Sequence, residues 1–317
     1  MVKIDLITGF LGSGKTTFIK KYAQYLIDKG ENIGILENDF GAVNVDMMLL
    51  QELESDKCEL EMVSSGYDAD CHKRRFKTKL IAMAMCGYDR IIVEPSGIYD
   101  VDEFFDTLCE EPLDQWYTID NVITLVNANL ENNLSDNSKY LLASQVLVAG
   151  SIILSRINDI PQSKTLTTIN TIKDAIKSCN SDRNIDDIII YKQTDSLTYK
   201  DLERINSSGY NTANYNKLWS QDDGGFESMY FLNKNYTVNE FEEKINILMN
   251  NKDYGNIFRI KGFLHINPND NDTTNKEWLQ FNATKNETHI EPIKKGQEVI
   301  IVIGENLNKE LLNKLFS

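Results

Sequence analysis

Short apolar runs alternate with segments of helical periodicity through the first two thirds of the chain. Helical segments such as Lys15–Asp28 and His72–Cys86 carry apolar residues at helical spacing, and a glycine follows each of them. Several of the intervening runs are apolar throughout, which is typical of strands covered on both faces. The alternation predicts an α/β fold, with a parallel sheet and crossover helices. The predicted strands are Ile4–Thr8, Ile33–Glu37, Arg90–Glu94, Val122–Val126, Ser151–Leu154 and Asp187–Tyr191.

The pattern changes after a polar stretch at residues 207–225, which we interpret as a linker. Strands now predominate, so a small α+β domain with an antiparallel sheet is expected. Its predicted strands are Phe226–Leu232, Ile257–Ile266, Trp278–Ala283 and Val299–Ile303, and its predicted helices lie near Val238–Met249 and Leu307–Phe316. The Asn/Asp-rich segment Asn267–Asn275 is expected to form an exposed hairpin loop. The predicted domains therefore span residues 1–215 and 226–317.

A phosphate-binding motif occupies the turn between the first predicted strand and helix. The stretch Gly9–Thr16 satisfies G-x-x-x-x-G-K-[ST], and its context makes a ligand-free glycine-rich turn the weaker interpretation. Backbone N–H groups of such a loop surround phosphate oxygens, Lys15 reaches the β- and γ-phosphates, and the hydroxyl of Thr16 ligates Mg²⁺. The residues predicted to bind nucleotide here are Gly9, Gly12, Ser13, Gly14, Lys15, Thr16 and Thr17.

Two acidic residues follow predicted strands and are candidates for the hydrolytic site. Glu94 closes the most apolar strand, where a second magnesium-side carboxylate belongs, next to Thr16. Asp39 follows another strand and could orient the attacking water in a switch loop. The alternative for each is an ordinary surface acid at a strand end. Lys15, Asp39 and Glu94 are thus the predicted catalytic residues.

Composition narrows the classes of partner. A net charge of −15 disfavours nucleic acids and anionic membranes as partners. No apolar run approaches the ~18 residues of a membrane-spanning helix, so a cytoplasmic protein is expected. The five cysteines are scattered and include no C-x-x-C pair, which favours thiols over disulfides.

Four stretches together resemble the CobW-like P-loop GTPases, a family linked to metal delivery and metal-cofactor assembly. They are GFLGSGKTT (Gly9–Thr17), ENDFGAVNVD (Glu37–Asp46), IIVEPSG (Ile91–Gly97) and GNIFRIKGFL (Gly255–Leu264), and the resemblance continues at Val299–Glu305. It implies a Mg²⁺-dependent GTPase domain joined to a CobW-like C-terminal domain, acting on a client protein. Proteins of this P-loop class often work as dimers, so a homodimer is expected by analogy only.

The sequence departs from the family at its Cys-x-Cys-Cys metal motif. In register, the three thiols are replaced by Tyr67, Ala69 and Asp70, with Cys71 one residue later. Asp70, Cys71 and His72 could form a different transition-metal site, for zinc or cobalt, although a soft site needs several Cys or His ligands. The alternative, which we favour, is that Asp70 caps the following helix.

A second departure concerns the nucleotide base. Guanine-specific P-loop proteins usually carry Asn-Lys-x-Asp after a strand, whereas this chain has Ser155-Arg156-Ile157-Asn158. Asn158 therefore replaces the carboxylate that would accept charge-assisted hydrogen bonds from guanine. Arg156 can still stack on a purine, and Asp159 is an alternative acceptor if the register shifts by one residue. Ser155, Arg156 and Asn158 are the predicted base contacts, with GTP expected and ATP left open.

These observations predict a nucleoside triphosphatase that switches a surface contacting a client protein. A metal chaperone, a small-molecule kinase and a nucleotide-binding scaffold without hydrolysis are the alternatives. No arginine finger is evident in cis, so slow intrinsic turnover is expected.

Overall fold

The structure is a computed structural model that describes most of the chain in two compact units, Met1–Trp219 and Ser220–Ser317. The described residues are 1–38, 45–63, 69–131, 134–212, 226–234, 236–266, 277–285, 287–293, 296 and 298–317. Residues 213–225 of the predicted linker and the predicted hairpin loop Asn267–Asn275 lie outside them. The predicted domain boundaries remain predictions.

The first unit is built on a seven-stranded sheet in which every described pairing is parallel. The strand order is β3-β2-β4-β1-β5-β6-β7, so β4 lies between β1 and β2 on one side, and β5, β6 and β7 follow in sequence on the other. The strands are β1 Val2–Thr8, β2 Ile33–Asn38, β3 Cys58–Met62, β4 Arg90–Pro95, β5 Tyr117–Asn127, β6 Ser151–Ser155 and β7 Ile189–Ile190. The predicted α/β fold with a parallel sheet is confirmed.

Helices cover both faces of this sheet, as the apolar strands require. They are α1 Lys15–Asp28, α2 Val45–Leu50, α3 Ala69–Ala84, α4 Val101–Leu108, α5 Leu113–Trp116, α6 Asp136–Leu147, α7 Gln162–Ser178 and α8 Tyr199–Ile205. The first helix has the predicted bounds, and it buries Phe18, Tyr22 and Leu26 in one of the cores that flank the sheet. Because this apolar face of α1 packs on the sheet, the first turn of the helix, which contains Lys15, lies next to the end of β1.

Three sequence-based assignments in this unit need correction. Strand β3 was not predicted, because it is a short edge strand without the continuous apolar run of the inner strands. Glu61 in this strand lies 2.8 Å from Lys79 of α3. Helix α3 begins at Ala69 and ends at Ala84, a shift of two to three residues from the prediction. The predicted strand Asp187–Tyr191 is reduced to Ile189–Ile190, because residues 186–188 form a 3₁₀ turn.

The described residues of the second unit form a five-stranded antiparallel sheet and two helices, which confirms the predicted small α+β fold. The elements are β8 Phe226–Leu232, α9 Val238–Asn250, β9 Asn256–Ile266, β10 Glu277–Thr284, β11 Glu287–Ile293, β12 Val299–Glu305 and α10 Lys309–Leu315. Phe241 of α9 and Leu312 of α10 pack with Phe281 and Ile300 of the sheet. Burial of one sheet face by the two helices gives this unit its own core.

Candidate nucleotide-binding site

The loop between β1 and α1 has a backbone that only glycine accommodates at key positions. Gly12 and Gly14 have φ of 72° and 88°, in the left-handed region that disfavours other residues. At Gly9, a Cβ atom would lie 2.2 Å from the carbonyl oxygen of Leu125. The strand therefore turns tightly against β5 before α1 begins, which is the loop geometry that surrounds phosphate oxygens.

The loop also contains a polar group that a ligand could satisfy. Ser13 is 1% exposed, and its Oγ has no hydrogen-bond partner among the described residues. Buried hydroxyl groups are rarely left unpaired, because the desolvation cost is then uncompensated. Together with the N-terminus of α1, this hydroxyl fits a site for an anionic phosphate.

Lys15 and Thr16 are the first two residues of α1, and their side chains contact Gly9 and Glu94, respectively. Lys15 is buried, and its Nζ donates to the carbonyl oxygen of Gly9 over 3.2 Å. Thr16 Oγ1 donates to Glu94 Oε1 over 3.0 Å, although 78 residues separate the two in sequence. The structure thus brings together the hydroxyl and the carboxylate that the sequence analysis proposed as magnesium ligands. Both are oxygen donors, the kind that Mg²⁺ prefers.

The turn after β4 is held against the phosphate-binding loop. Ser96 N–H donates to the backbone carbonyl of Asn38, at the end of the neighbouring strand β2, over 3.0 Å. A Cβ atom on Gly97 would lie 2.9 Å from the backbone N and Cα of Leu11. Gly97 belongs to the family-like stretch Ile91–Gly97, and this close packing explains why a glycine is needed there.

The predicted base-binding residues lie at the end of β6 and just beyond it. Ser155 is buried, and its Cβ is 3.8 Å from the position that a Cβ on Gly14 would take. Arg156 has a left-handed φ of 58° and leads into the 3₁₀ turn Ile157–Asp159, in which the side chain of Asn158 is exposed. Ser155 therefore adjoins the phosphate-binding loop. The side chain of Asp159 lies outside the described part of the chain.

Two sequence-predicted sites are only partly described. Asp39 and the side chain of Asp70 lie outside the described residues. Cys71 is half-buried, and His72 is fully buried with its Nε2 2.7 Å from Oδ1 of Asn38. No group of three or more His, Cys, Asp or Glu side chains that could hold a metal occurs among the residues that the structure describes. The transition-metal site at Asp70, Cys71 and His72 therefore stays a prediction.

Cys58, in β3, offers no alternative ligand. Its side chain is almost fully buried, and burial raises the pKa of the Cys58 thiol to about 11. Metal binding and nucleophilic attack both require the thiolate, which is then scarce at neutral pH.

Across the described residues, no helix is both long and apolar enough to cross a membrane.

Comparison with known proteins places the chain in a family. Residues 3–185 match the nucleotide-binding domain of the CobW/HypB/UreG family, and residues 234–317 match the C-terminal domain of the cobalamin synthesis protein CobW. The chain therefore belongs to the CobW/HypB/UreG family of P-loop GTPases, and it carries the C-terminal domain found in CobW.

Individual relatives match over a shorter span. The chain is 28% identical over 162 residues to the zinc chaperone YjiA of Escherichia coli (strain K12), a match covering 49% of each protein. It is 30% identical over 133 residues to the zinc chaperone CobW of a Sinorhizobium species, which covers 40% of this chain and 37% of that protein. The sequence match thus spans about half or less of these curated relatives.

Solved structures align with this chain at low sequence identity and low TM-score. The Zn(II)-bound YjiA GTPase from E. coli aligns with 99% of this chain and 98% of its own, at 18% identity and a TM-score of 0.40. HypB from Helicobacter pylori in complex with nickel aligns with 65% of this chain and 84% of its own, at 15% identity and a TM-score of 0.41.

Proposed function

We propose that this protein is a Mg²⁺-dependent GTPase whose hydrolytic cycle switches a surface that contacts a client protein. The observation that carries the proposal is the convergence of Lys15, Thr16 and Glu94 beside the glycine loop, with Thr16 and Glu94 hydrogen-bonded over 3.0 Å. A strand-end carboxylate buried against the first turn of the P-loop helix is costly unless it has a partner. Thr16 supplies one such partner, and a bound Mg²⁺ would be a stronger one for the same carboxylate.

Each group has a distinct task in this proposal. The loop N–H groups and the N-terminus of α1 bind the phosphates, and the ammonium group of Lys15 offsets charge on the transferred phosphoryl oxygens. Thr16 and Glu94 would hold Mg²⁺, which neutralises developing charge on the phosphates when it is bound. Asp39 remains our candidate for orienting the attacking water, and Ser155, Arg156 and Asn158 our candidates for contacting the base.

The family relationship also supports a role in metal delivery. Three of the curated relatives are named zinc chaperones, and each match covers less than half of the relative's own length. We propose zinc as cargo, transferred to a client protein when nucleotide is hydrolysed, with Cys71 as the first candidate ligand. A nucleotide switch without metal is the second candidate, because His72 directs its Nε2 toward Asn38 inside the protein.

Turnover of GTP and of ATP by metal-stripped protein, with and without added zinc or cobalt, tests the proposal. We expect Mg²⁺-dependent GTP hydrolysis slower than about one per second, because no arginine finger is evident in cis from the sequence. Stimulation by a stoichiometric metal, lost in Cys71→Ser, would support the cargo role. If neither zinc nor cobalt changes the rate of hydrolysis, the second candidate, a nucleotide switch without metal, is supported. If the protein hydrolyses no nucleotide, the GTPase proposal itself is contradicted.

Asn158→Asp is expected to raise the preference for GTP over ATP by about tenfold. A carboxylate at this position would accept charge-assisted hydrogen bonds from guanine, which are roughly twice as strong as neutral ones. The ratio of the two dissociation constants, measured by competition with a fluorescent nucleotide, checks this effect. Asn180→Asp adds the same charge at an exposed position beyond α7 and should leave the ratio unchanged. An unchanged ratio in Asn158→Asp would place base recognition elsewhere.

A further inference from the structure

One histidine in the first turn of α3 is fully buried, and the GTPase mechanism proposed above gives it no role. His72 has no exposed surface, and its Nε2 lies 2.7 Å from Oδ1 of Asn38, which is equally buried. An amide oxygen is only an acceptor, so Nε2 carries the proton and donates it to this bond. The contact joins the first turn of α3 to the last residue of β2, across 34 positions in sequence.

Asn38 is also connected to the turn that follows β4. Its backbone carbonyl accepts the Ser96 N–H over 3.0 Å. Ser96 stands two residues after Glu94, and the next residue, Gly97, packs on the backbone of Leu11 in the phosphate-binding loop. A second contact anchors this turn, since Gln145 of α6 donates from Nε2 to the carbonyl of Gly97 over 3.4 Å. A continuous set of contacts therefore runs from His72 to the nucleotide site.

We propose that His72 is a positioning residue: through Asn38, it fixes the Ser96–Gly97 turn, and thereby Glu94, relative to the phosphate-binding loop. The inference rests on the proposed GTPase function, and it assigns His72 a role in the alignment of that site rather than in metal binding. The Nδ2 of Asn38 has no partner among the described residues, so the Oδ1 contact is what orients this amide there. Without it, the end of β2 would keep its backbone pairing but lose its side-chain restraint.

His72→Leu tests the proposal, because leucine fills much of the same volume but donates no hydrogen bond. We expect kcat for GTP to fall about tenfold, the effect of losing roughly one buried hydrogen bond, while KM changes less than about twofold. KM should hold because the loop amides and Lys15 remain in place. Amide hydrogen exchange at Ser96, whose N–H donates to Asn38, should accelerate by about tenfold in nucleotide-free protein.

Two variants separate positioning from general stability. His72→Gln can place an amide N–H near the position of Nε2, so it should restore slow exchange at Ser96 and most of kcat. Phe76→Leu removes core volume from the same helix but keeps the His72–Asn38 hydrogen bond; it should lower stability and leave exchange at Ser96 unchanged. Equal exchange effects in His72→Leu and Phe76→Leu, or no rescue by glutamine, would overturn the proposal.

The exchange measurement keeps the test independent of the GTPase assignment. If wild-type protein hydrolyses no nucleotide, the proposed function fails, yet faster exchange at Ser96 in His72→Leu would still show the link. If His72→Leu does not fold, Asn38→Ala removes the same hydrogen bond from the other side and retains the carbonyl that binds Ser96. If the amide of Ser96 exchanges as slowly in Asn38→Ala as in the wild-type protein, the proposed connection between His72 and the Ser96–Gly97 turn is contradicted.

Discussion

Replacing Lys15 with alanine is expected to lower GTP turnover by roughly 10²- to 10³-fold, the effect of removing one preorganised group that stabilises transition-state charge. Lys15 is 6% exposed, and its Nζ is held 3.2 Å from the Gly9 carbonyl, inside the loop that forms the site. A cation in such a water-poor position interacts with phosphate oxygens more strongly than one in bulk water. No other lysine or arginine in the phosphate-binding motif can replace it.

The measurement is steady-state phosphate release at saturating Mg²⁺-GTP, with nucleotide affinity determined separately. Lys20→Ala is the matched control, because Lys20 lies on the same helix α1 outside the motif and should keep wild-type turnover. Lys15→Arg retains the charge, but its larger planar group does not match an ammonium site, so little recovery is expected. Turnover above a tenth of wild type in Lys15→Ala would mean that hydrolysis depends on another site.

The sequence predicted the parts of this site that depend on local pattern. The glycine loop, Lys15 and Thr16 are contiguous, and their motif has one structural context, a strand followed by a helix. Glu94 followed from its place at the end of an apolar strand, because the carboxyl ends of parallel strands meet at one edge of the sheet. The pairing of Thr16 with Glu94 is therefore a consequence of topology that the apolar pattern already implied.

Contacts between buried polar residues that are far apart in sequence could not be predicted in this way. The hydrophobic pattern of the sequence does not mark Asn38 or His72. Their hydrogen bond depends on how α3 packs against the end of β2. Arg90 is the clearest example, since in sequence it only begins an apolar run. In the structure it is fully buried, and the acids that surround it come from three separate parts of the chain. Such a cluster is specified by tertiary packing rather than by neighbouring residues.

Arg90 lies at the start of β4, at the end of the strand opposite Glu94, within a network of charges. Its Nη1 is 2.6 Å from Asp5 and 2.8 Å from Asp120, and its Nε is 2.9 Å from Glu31. Burial is the largest single effect on Arg90 and opposes the charged guanidinium, but the combined effects of Asp5, Tyr22 and Glu31 outweigh it, so the pKa of Arg90 is raised and the side chain stays cationic. Asp5 also accepts hydrogen bonds from Tyr22 and Asn121, so β1, β4, β5 and α1 meet at this cluster.

Arg90→Met is expected to lower the free energy of unfolding of the first unit by roughly 3–5 kcal/mol. Methionine retains much of the volume but leaves the fully buried carboxylate of Asp5 without its counter-charge. Urea unfolding of nucleotide-free protein, followed by circular dichroism, measures the loss; the transition of the first unit must be fitted separately, because two units need not unfold together.

Two further variants assign the effect to the buried charge. Lys3→Met removes an exposed cation that lies 3.4 Å from Asp120 on the neighbouring strand, and a surface pair of this kind contributes less than about 1 kcal/mol. Asp5→Asn combined with Arg90→Met should recover part of the stability, because the asparagine still accepts from Tyr22 and carries no charge. If Arg90→Met unfolds within about 1 kcal/mol of wild type, the cluster contributes little net stability, since desolvation of its charges then cancels their attraction.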